Sequence, residues 1–370
     1  MKKEHQPKRQ SVWMLQTKRA DFNGIASRFH ISPVTARIIR NRNVEGEEEI
    51  RRYLYGTLDD LYNPHLMKGM NLATGIMEKK IRAGVHIRIV GDYDIDGVCS
   101  TYLLYKGISR CGGHVDYQIP ERVKDGYGIN EQIIEKAKAD GVDTITCDNG
   151  ISAISQIERA KELGMTVIVT DHHEVVRGEK GEQCLPPADA VVNPKQDDCP
   201  YPFPEICGGV VAYKFVQVLY ERFGIACQEW LDMLEFAGIA TVGDVMKLQD
   251  ENRILVRLGL KQIAKTKSAG LRALVEACGL DITSLTAYHI GFVIGPCLNA
   301  SGRLQTAKLA LELLLCEDYV RAGRMAEELR ELNEERKEMT RDGVELALDQ
   351  VEEHYANDAV LVIFLPDCHE

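Results

Sequence analysis

The sequence predicts an α/β fold. A parallel, Rossmann-like sheet follows an N-terminal helical region and precedes a mainly helical second half and one long connecting helix. Three observations carry this. Short apolar, β-rich runs alternate with helical segments between residues 86 and 194, the pattern of strands joined by crossover helices. From Gly208 to about Leu314 the pattern is mainly helical. Residues 318 to about 354 are rich in Glu, Arg, Leu and Ala, which reads as one solvent-laced helix with i,i+4 charge pairs.

Residues 1–80 form the helical region, where Ser32-Pro33 is placed to open one helix and Glu47 to Tyr55 makes another. Tyr62-Asn63-Pro64 interrupts it as a loop. HIRIV (86–90) is the first strand, followed by a loop of acids and glycine and a helix from about Val98 to Arg110. VDYQI (115–119), DTITC (143–147), TVIVT (166–170) and AVVNP (190–194) supply further strands, with helices over 130–140 and 151–163 between them. The expected domain covers 81–314, with breaks at Gly243-Asp244 and Gly295-Pro296. A connecting helix over 315–357 follows, and then 358–370, where AVLVIFLP (359–366) reads as the first strand of a further domain that the chain does not complete.

A chain of 370 residues with 45% hydrophobic content suits two or three structural units. It contains no run of eighteen apolar residues, which excludes a membrane-spanning helix. The basic start MKKEHQPKRQ lacks the apolar segment of a secretory leader. Eleven cysteines without a CxxC pair argue against a zinc ribbon or a disulfide framework, and for reduced thiols in a cytoplasm. The net charge of −11 is unusual for a protein that grips nucleic-acid phosphates. A cluster of cation-binding carboxylates would inflate that count and still leave room for a basic groove.

In an open α/β sheet, the loops leaving the carboxyl ends of the strands meet at the ligand crevice. Here three such loops carry acids or histidines: Gly91-Asp92-Tyr93-Asp94-Ile95-Asp96-Gly97, Asp148-Asn149-Gly150 and Asp171-His172-His173. Asp244 in ATVGDVM (240–246) is a fourth candidate. A single Asp before a helix is explained by capping alone. Three strand ends loaded this way are not, because so many carboxylates repel one another unless cations neutralise them. Carboxylates with one or two imidazoles suit Mn²⁺ or a similar ion better than Ca²⁺. Two such ions would clamp a phosphate and activate a water. The residues thus point to a dinuclear phosphoesterase.

VGDYDIDG (90–97), TCDNGIS (146–152), VTDHHE (169–174) and ATVGDVMKL (240–248) resemble, in order, the four signature motifs of the DHH phosphoesterase superfamily. IPERVKDGYGIN (119–130) and IGPCLNASGR (294–303) are similar to segments of its RecJ-type single-stranded-DNA exonucleases, and the resemblance runs through the connecting helix. It implies that Asp94 and Asp96 each bind a metal, that Asp148 bridges two ions, and that His172 and Asp244 complete the second. The ions would be Mn²⁺ or Mg²⁺. His173 would face the scissile phosphate as a catalytic group. Asp92 is counted with Asp148 and His173 as a catalytic residue, acting beside the ligands as a helix cap or a supporting carboxylate, with direct ligation as the alternative, and Asp171 would orient the histidine loop. Arg122, Asn299 and Arg303 are the candidate substrate contacts.

Two departures stand out. Val90 occupies a position where some relatives have histidine, so the first ion would have an open or water-filled position. Cys297 stands where arginine is frequent, removing one phosphate contact. Cys207-Gly208-Gly209 reads as a tight turn before a helix whose N-terminus a phosphate could also use. Trp13 and Trp230 are too isolated to form a base-stacking platform. The implied function is 5′-to-3′ degradation of single-stranded DNA in repair and recombination, with a single-stranded-DNA-binding protein and a helicase as partners. Two alternatives stand beside it. One is a small phosphodiesterase for oligonucleotides or cyclic dinucleotides; the other is a non-catalytic replication scaffold. An incomplete further domain would leave metal binding intact and weaken DNA affinity and processivity.

Overall fold

The computed structural model describes residues 12–14, 18–121, 126, 128–304, 307–352 and 360–365. The chain divides into two compact units, 1–60 and 61–370. The first holds α1 (Phe22–Phe29), α2 (Pro33–Asn41) and α3 (Glu47–Tyr55). Ser32 caps α2 by accepting the Thr35 amide at 3.0 Å, and Pro33 fills the first helical position. Phe29, Ile39, Val44, Ile50 and Tyr53 make this unit's own core.

The second unit opens with α4 (Met70–Arg82), whose Met70, Ala73, Met77 and Ile81 share a core with the first strand. Then come β1 (His86–Val90), α5 (Ile95–Arg110), β2 (His114–Gln118), α6 (Glu131–Ala139), β3 (Asp143–Cys147), α7 (Ile154–Glu162) and β4 (Val167–Thr170). A small antiparallel hairpin, β5 (Val176–Arg177) and β6 (Gln183–Cys184), precedes β7 (Ala190–Val192). The sheet order is β2-β1-β3-β4-β7 and every pairing is parallel.

Period-two alternation sorts the strand side chains onto two covered faces. Ile87, Ile89 and Ile168 join the large core with α4, α5 and the helices beyond the sheet. Val90, Val167 and Val169 join a second core with Ile133, Ile134 and Ala137 of α6 and Ile157 and Ala160 of α7.

The mainly helical half comprises α8 (Gly208–Phe223), α9 (Cys227–Leu231), α10 (Leu234–Gly243), α11 (Asp250–Ile263), α12 (Ala269–Ala277) and α13 (Ala287–His289). A π-helical turn, Ile290–Ile294, leads into α14 (Gly295–Leu304), followed by α15 (Lys308–Leu315) and α16 (Tyr319–Gln350). The break at Gly243-Asp244 is there. The expected break at Gly295-Pro296 is not: helix runs through it. Proline removes one N–H, and the wider π-turn just before it, where the Gly295 amide reaches the Ile290 carbonyl, absorbs the disruption.

Asp318 caps the long helix through the Arg321 amide at 2.8 Å. Only its N-terminal part is buried, through Ala322, Met325, Ala326, Leu329 and Leu332. The apolar run near residue 360 forms no strand over 360–365. A strand needs a neighbour for its backbone groups, and no described segment pairs with it.

Candidate metal centre

β1, β3 and β4 are parallel neighbours, so the loops leaving their carboxyl ends converge on one edge of the sheet. After β1, Asp94 caps α5, its Oδ1 accepting the Gly97 amide at 2.9 Å. Asp96 sits in the first turn of that helix, fully buried. Its two oxygens accept the Gly208 and Gly209 amides at 2.7 and 2.8 Å. The start of α8 therefore holds a carboxylate of the chain itself, not a free anion site or a plain turn. The positive end of the helix stabilises that buried charge.

After β3, Asp148 adopts a left-handed backbone with φ 60°. That conformation is uncommon outside glycine, although aspartate adopts it more readily than most residues, and here neighbouring hydrogen bonds fix it. Asn149 supplies the restraint, its Nδ2 donating to the Val90 carbonyl at 3.0 Å and the Cys147 carbonyl at 2.9 Å. Thr146 Oγ1 donates to the Asn149 carbonyl at 2.8 Å. Gly208 matters here too: a Cβ on it would lie 2.7 Å from Asp148 Oδ1.

After β4, Asp171 is fully engaged. Its Oδ1 accepts the His172 and His173 amides at 2.7 and 3.1 Å and faces His173 Nδ1 at 2.8 Å, and its Oδ2 accepts the Ile151 amide at 2.9 Å. It aims the two imidazoles. His172 Nε2 then lies 3.1 Å from Asp148 Oδ1, 3.6 Å from Asp96 Oδ2 and 3.7 Å from Asp244 Oδ2. Asp244 reaches this point from the C-cap of α10.

Donor atoms gather into groups whose members all lie within 4.8 Å of one another: Asp92, Asp94 and Asp148; Asp96, His172 and Asp244; and Asp148, His172 and His173. Asp148 is common to two of them. Burial, with Asp94 beside it, lifts the Asp92 carboxyl to about 7. Burial and the charges of Asp96 and Asp94 lift Asp244 to about 7 as well. Asp94 and Asp148 are also raised, by burial first and neighbouring carboxylates second. His172 is lowered by burial, whereas the hydrogen bond to Asp171 raises His173.

Among the described residues, Asp92 Oδ1, both ring nitrogens of His172 and Asp244 Oδ2 are buried without hydrogen-bond partners. Such atoms are costly unless something satisfies them. The mixed carboxylate–imidazole donor set fits a divalent transition ion.

Among the residues singled out in the sequence, Asp92, Asp94, Asp96, Asp148, His172, His173 and Asp244 come together here. Asp92 offers an oxygen to one of these donor groups, beside Asp94 and Asp148. The Val90 side chain points into the apolar core on the α6–α7 face and offers no ligand to the site, although its carbonyl accepts from Asn149. Arg122 lies outside the described residues.

Asn299, Gly302 and Arg303 share one face of α14, three and four residues apart. A Cβ on Gly302 would lie 2.6 Å from the Tyr93 carbonyl, so that face abuts the first acidic loop. Asn299 Oδ1 is buried there without a hydrogen-bond partner among the described residues, and Arg303 is exposed.

Sequence reasoning missed the Tyr288–Phe292 pair. These rings stack at 4.9 Å and 27°, and both side chains are exposed. They flank Gly291, where a Cβ would meet Val242 Cγ1 at 3.5 Å, beside the end of α10 that carries Asp244. Their four-residue spacing was a readable signal; their exposure was not.

The DHH family, N-terminal domain, matches residues 86–243. The single-stranded-DNA-specific exonuclease RecJ of Bacillus subtilis is 37% identical over 353 residues, 95% of this chain and 43% of that protein. A crystal structure of exonuclease RecJ bound to manganese superposes with a TM-score of 0.72 and 31% identity, covering 82% of this chain and 74% of the other. The chain belongs to the RecJ family. The Escherichia coli RecJ is 35% identical over 84% of this chain and 54% of its own length. RecJ of Thermus thermophilus in complex with Mn²⁺ gives a TM-score of 0.77 at 29% identity, over 94% of this chain and 48% of the other. The chain thus spans about half the length of the curated RecJ relatives it matches. No helix among the described residues is long and apolar enough to cross a membrane.

Proposed function

We propose that this chain is a metal-dependent phosphodiesterase that shortens single-stranded DNA from its 5′ end. The observation that carries the reading is the pair of donor groups around Asp148: Asp92, Asp94 and Asp148 on one side, Asp96, His172 and Asp244 within reach on the other. The first three would hold one Mn²⁺ or Mg²⁺, and Asp96, His172 and Asp244, with Asp148 shared, a second. The RecJ structures bound to manganese and in complex with Mn²⁺ support the choice of ion. Bound there, the ions would polarise the phosphate and supply an activated water.

The chain's own groups do the rest. His173, held by Asp171 and with a side chain 45% exposed, is placed to donate a hydrogen bond or a proton to a phosphate oxygen. Asn299 and Arg303 would grip the strand from α14, the arginine through its planar fork. Tyr288 and Phe292 would stack the bases.

The test is Mn²⁺-dependent cleavage of single-stranded against duplex DNA, with each end blocked in turn. Blocking the 5′ end should stop cleavage of the single strand, and the duplex should resist. Asp148→Asn should abolish activity with an unchanged circular dichroism spectrum. Phe292→Ala should weaken binding of the strand about tenfold, since one base stack contributes roughly 1–3 kcal/mol. Wild-type cleavage by Asp148→Asn would overturn the reading.

A further inference from the structure

Outside the metal centre, two cysteines touch. Cys278 is the C-cap of α12 and Cys297 lies in the first turn of α14, and their sulfur atoms are 3.7 Å apart. The two thiols are unlike. Cys278 is half-buried, whereas Cys297 is 2% exposed. Asn333 of α16 donates to Cys297 Sγ at 3.6 Å.

From this juxtaposition we propose that Cys278 and Cys297 are a modification site, a thiol pair that peroxide converts to a reversible disulfide. A disulfide needs about 2.05 Å between sulfurs, so the pair must close by roughly 1.6 Å. Rotation of the half-buried Cys278 side chain can supply much of that shift.

The chemistry assigns each thiol a part. Cys278 is the attacking sulfur because peroxide can reach it. The hydrogen bond from Cys297 holds its thiol below the usual range against the effect of burial, and Arg330 and Lys337 of α16 assist. Its place at the end of α12 works the other way. The Cys278 thiolate attacks one peroxide oxygen; an S–O bond forms, the O–O bond breaks, and the departing hydroxide takes a proton to become water. Cys297 then attacks the sulfenic sulfur. The S–S bond forms, the S–O bond breaks, and the second hydroxide leaves as water with the Cys297 proton. Two thiols are oxidised by two electrons and one peroxide is reduced to two waters.

The bond would fasten α12 to α14, whose Asn299 and Arg303 face the first acidic loop. Resting on the proposed function, this predicts that oxidation changes the affinity of the chain for single-stranded DNA by several-fold.

The experiment treats the intact chain with a few equivalents of hydrogen peroxide, blocks remaining thiols and maps peptides by mass spectrometry. A Cys278–Cys297 cross-linked peptide, lost on reduction with dithiothreitol, is the expected result. In Cys297→Ser the same treatment should drive Cys278 on to sulfinic acid. Recovery of both cysteines blocked, under doses that oxidise other thiols of the chain, would overturn the site. Strand affinity, measured in Mn²⁺, should shift on oxidation of the wild type and not of Cys278→Ser. A cross-link without that shift overturns the coupling to α14 and leaves the site standing. Loss of all strand binding by the reduced chain would instead count against the proposed function.

Discussion

Glu235 lies in the first turn of α10, 2% exposed, with Thr266 Oγ1 donating to it at 2.6 Å and its other oxygen buried without a hydrogen-bond partner among the described residues. Burial lifts its carboxyl from an ordinary 4.5 to about 7. The folded state therefore holds this proton more tightly than the unfolded chain does. This group's contribution to stability is fullest below 4.5 and falls as pH rises from there to about 7. Glu235→Gln should flatten that decline and stabilise the protein above pH 7, by a difference of the order of 3 kcal/mol. Urea midpoints at pH 5 and pH 8 measure it. At this scale the sequence was most legible where residue type is the signal. Aspartates and histidines at strand ends announced the site, and the seven candidates for metal ligation or catalysis, Asp244 included, gather there. Hidden from view was environment. Nothing in the letters distinguishes Asp171, consumed by three backbone amides and His173, from Asp92, whose Oδ1 has no hydrogen-bond partner among the described residues.

At the scale of elements, the arrangement depends on how closely α8 approaches two loops. Its first two amides bind Asp96, and Gly208 passes so near Asp148 that a methyl group would meet the carboxylate at 2.7 Å. Gly208→Ala should leave the helix intact, since alanine is the better helix former. It should push α8 or Asp148 aside and weaken Mn²⁺ binding at least tenfold by calorimetry. Unchanged affinity would show that the approach is not needed. The sequence read this glycine pair as a turn, because a contact between residues 96 and 208 is a tertiary fact. The same limit explains Pro296, where helix propensity argued for a break and the π-turn ahead of it allowed the chain to continue. Elements with a clear period fared better: β1, β3 and α3 have the expected boundaries.

Across the molecule's larger unit, one buried ion pair links distant segments. Lys214 of α8 lies 2.8 Å from Glu251 of α11, both side chains almost wholly buried. Lys214 also donates to the Tyr62 carbonyl at 2.9 Å, and the Tyr62 amide donates to Glu251 at 3.0 Å. Removing one partner strands the other charge, so Lys214→Met should cost about 3–5 kcal/mol in denaturant unfolding. Adding Glu251→Leu should restore much of that loss; a double variant no better than the single would argue against the pair as the cause. The α/β alternation and the long charged helix made the overall architecture legible. The division at residue 60 was not, because α4 continues the helical composition of the N-terminal region while its apolar face belongs to the sheet.

Equilibrium Mn²⁺ binding tests the proposed dinuclear centre around Asp148 most directly. The wild-type chain should take up two ions, and Asp148→Asn should weaken both sites together, because Asp148, grouped with Asp92 and Asp94 and 3.1 Å from His172 Nε2, is the carboxylate proposed to be shared between them. One ion in the wild type, or an Asp148→Asn chain that keeps either site at full affinity, would contradict it.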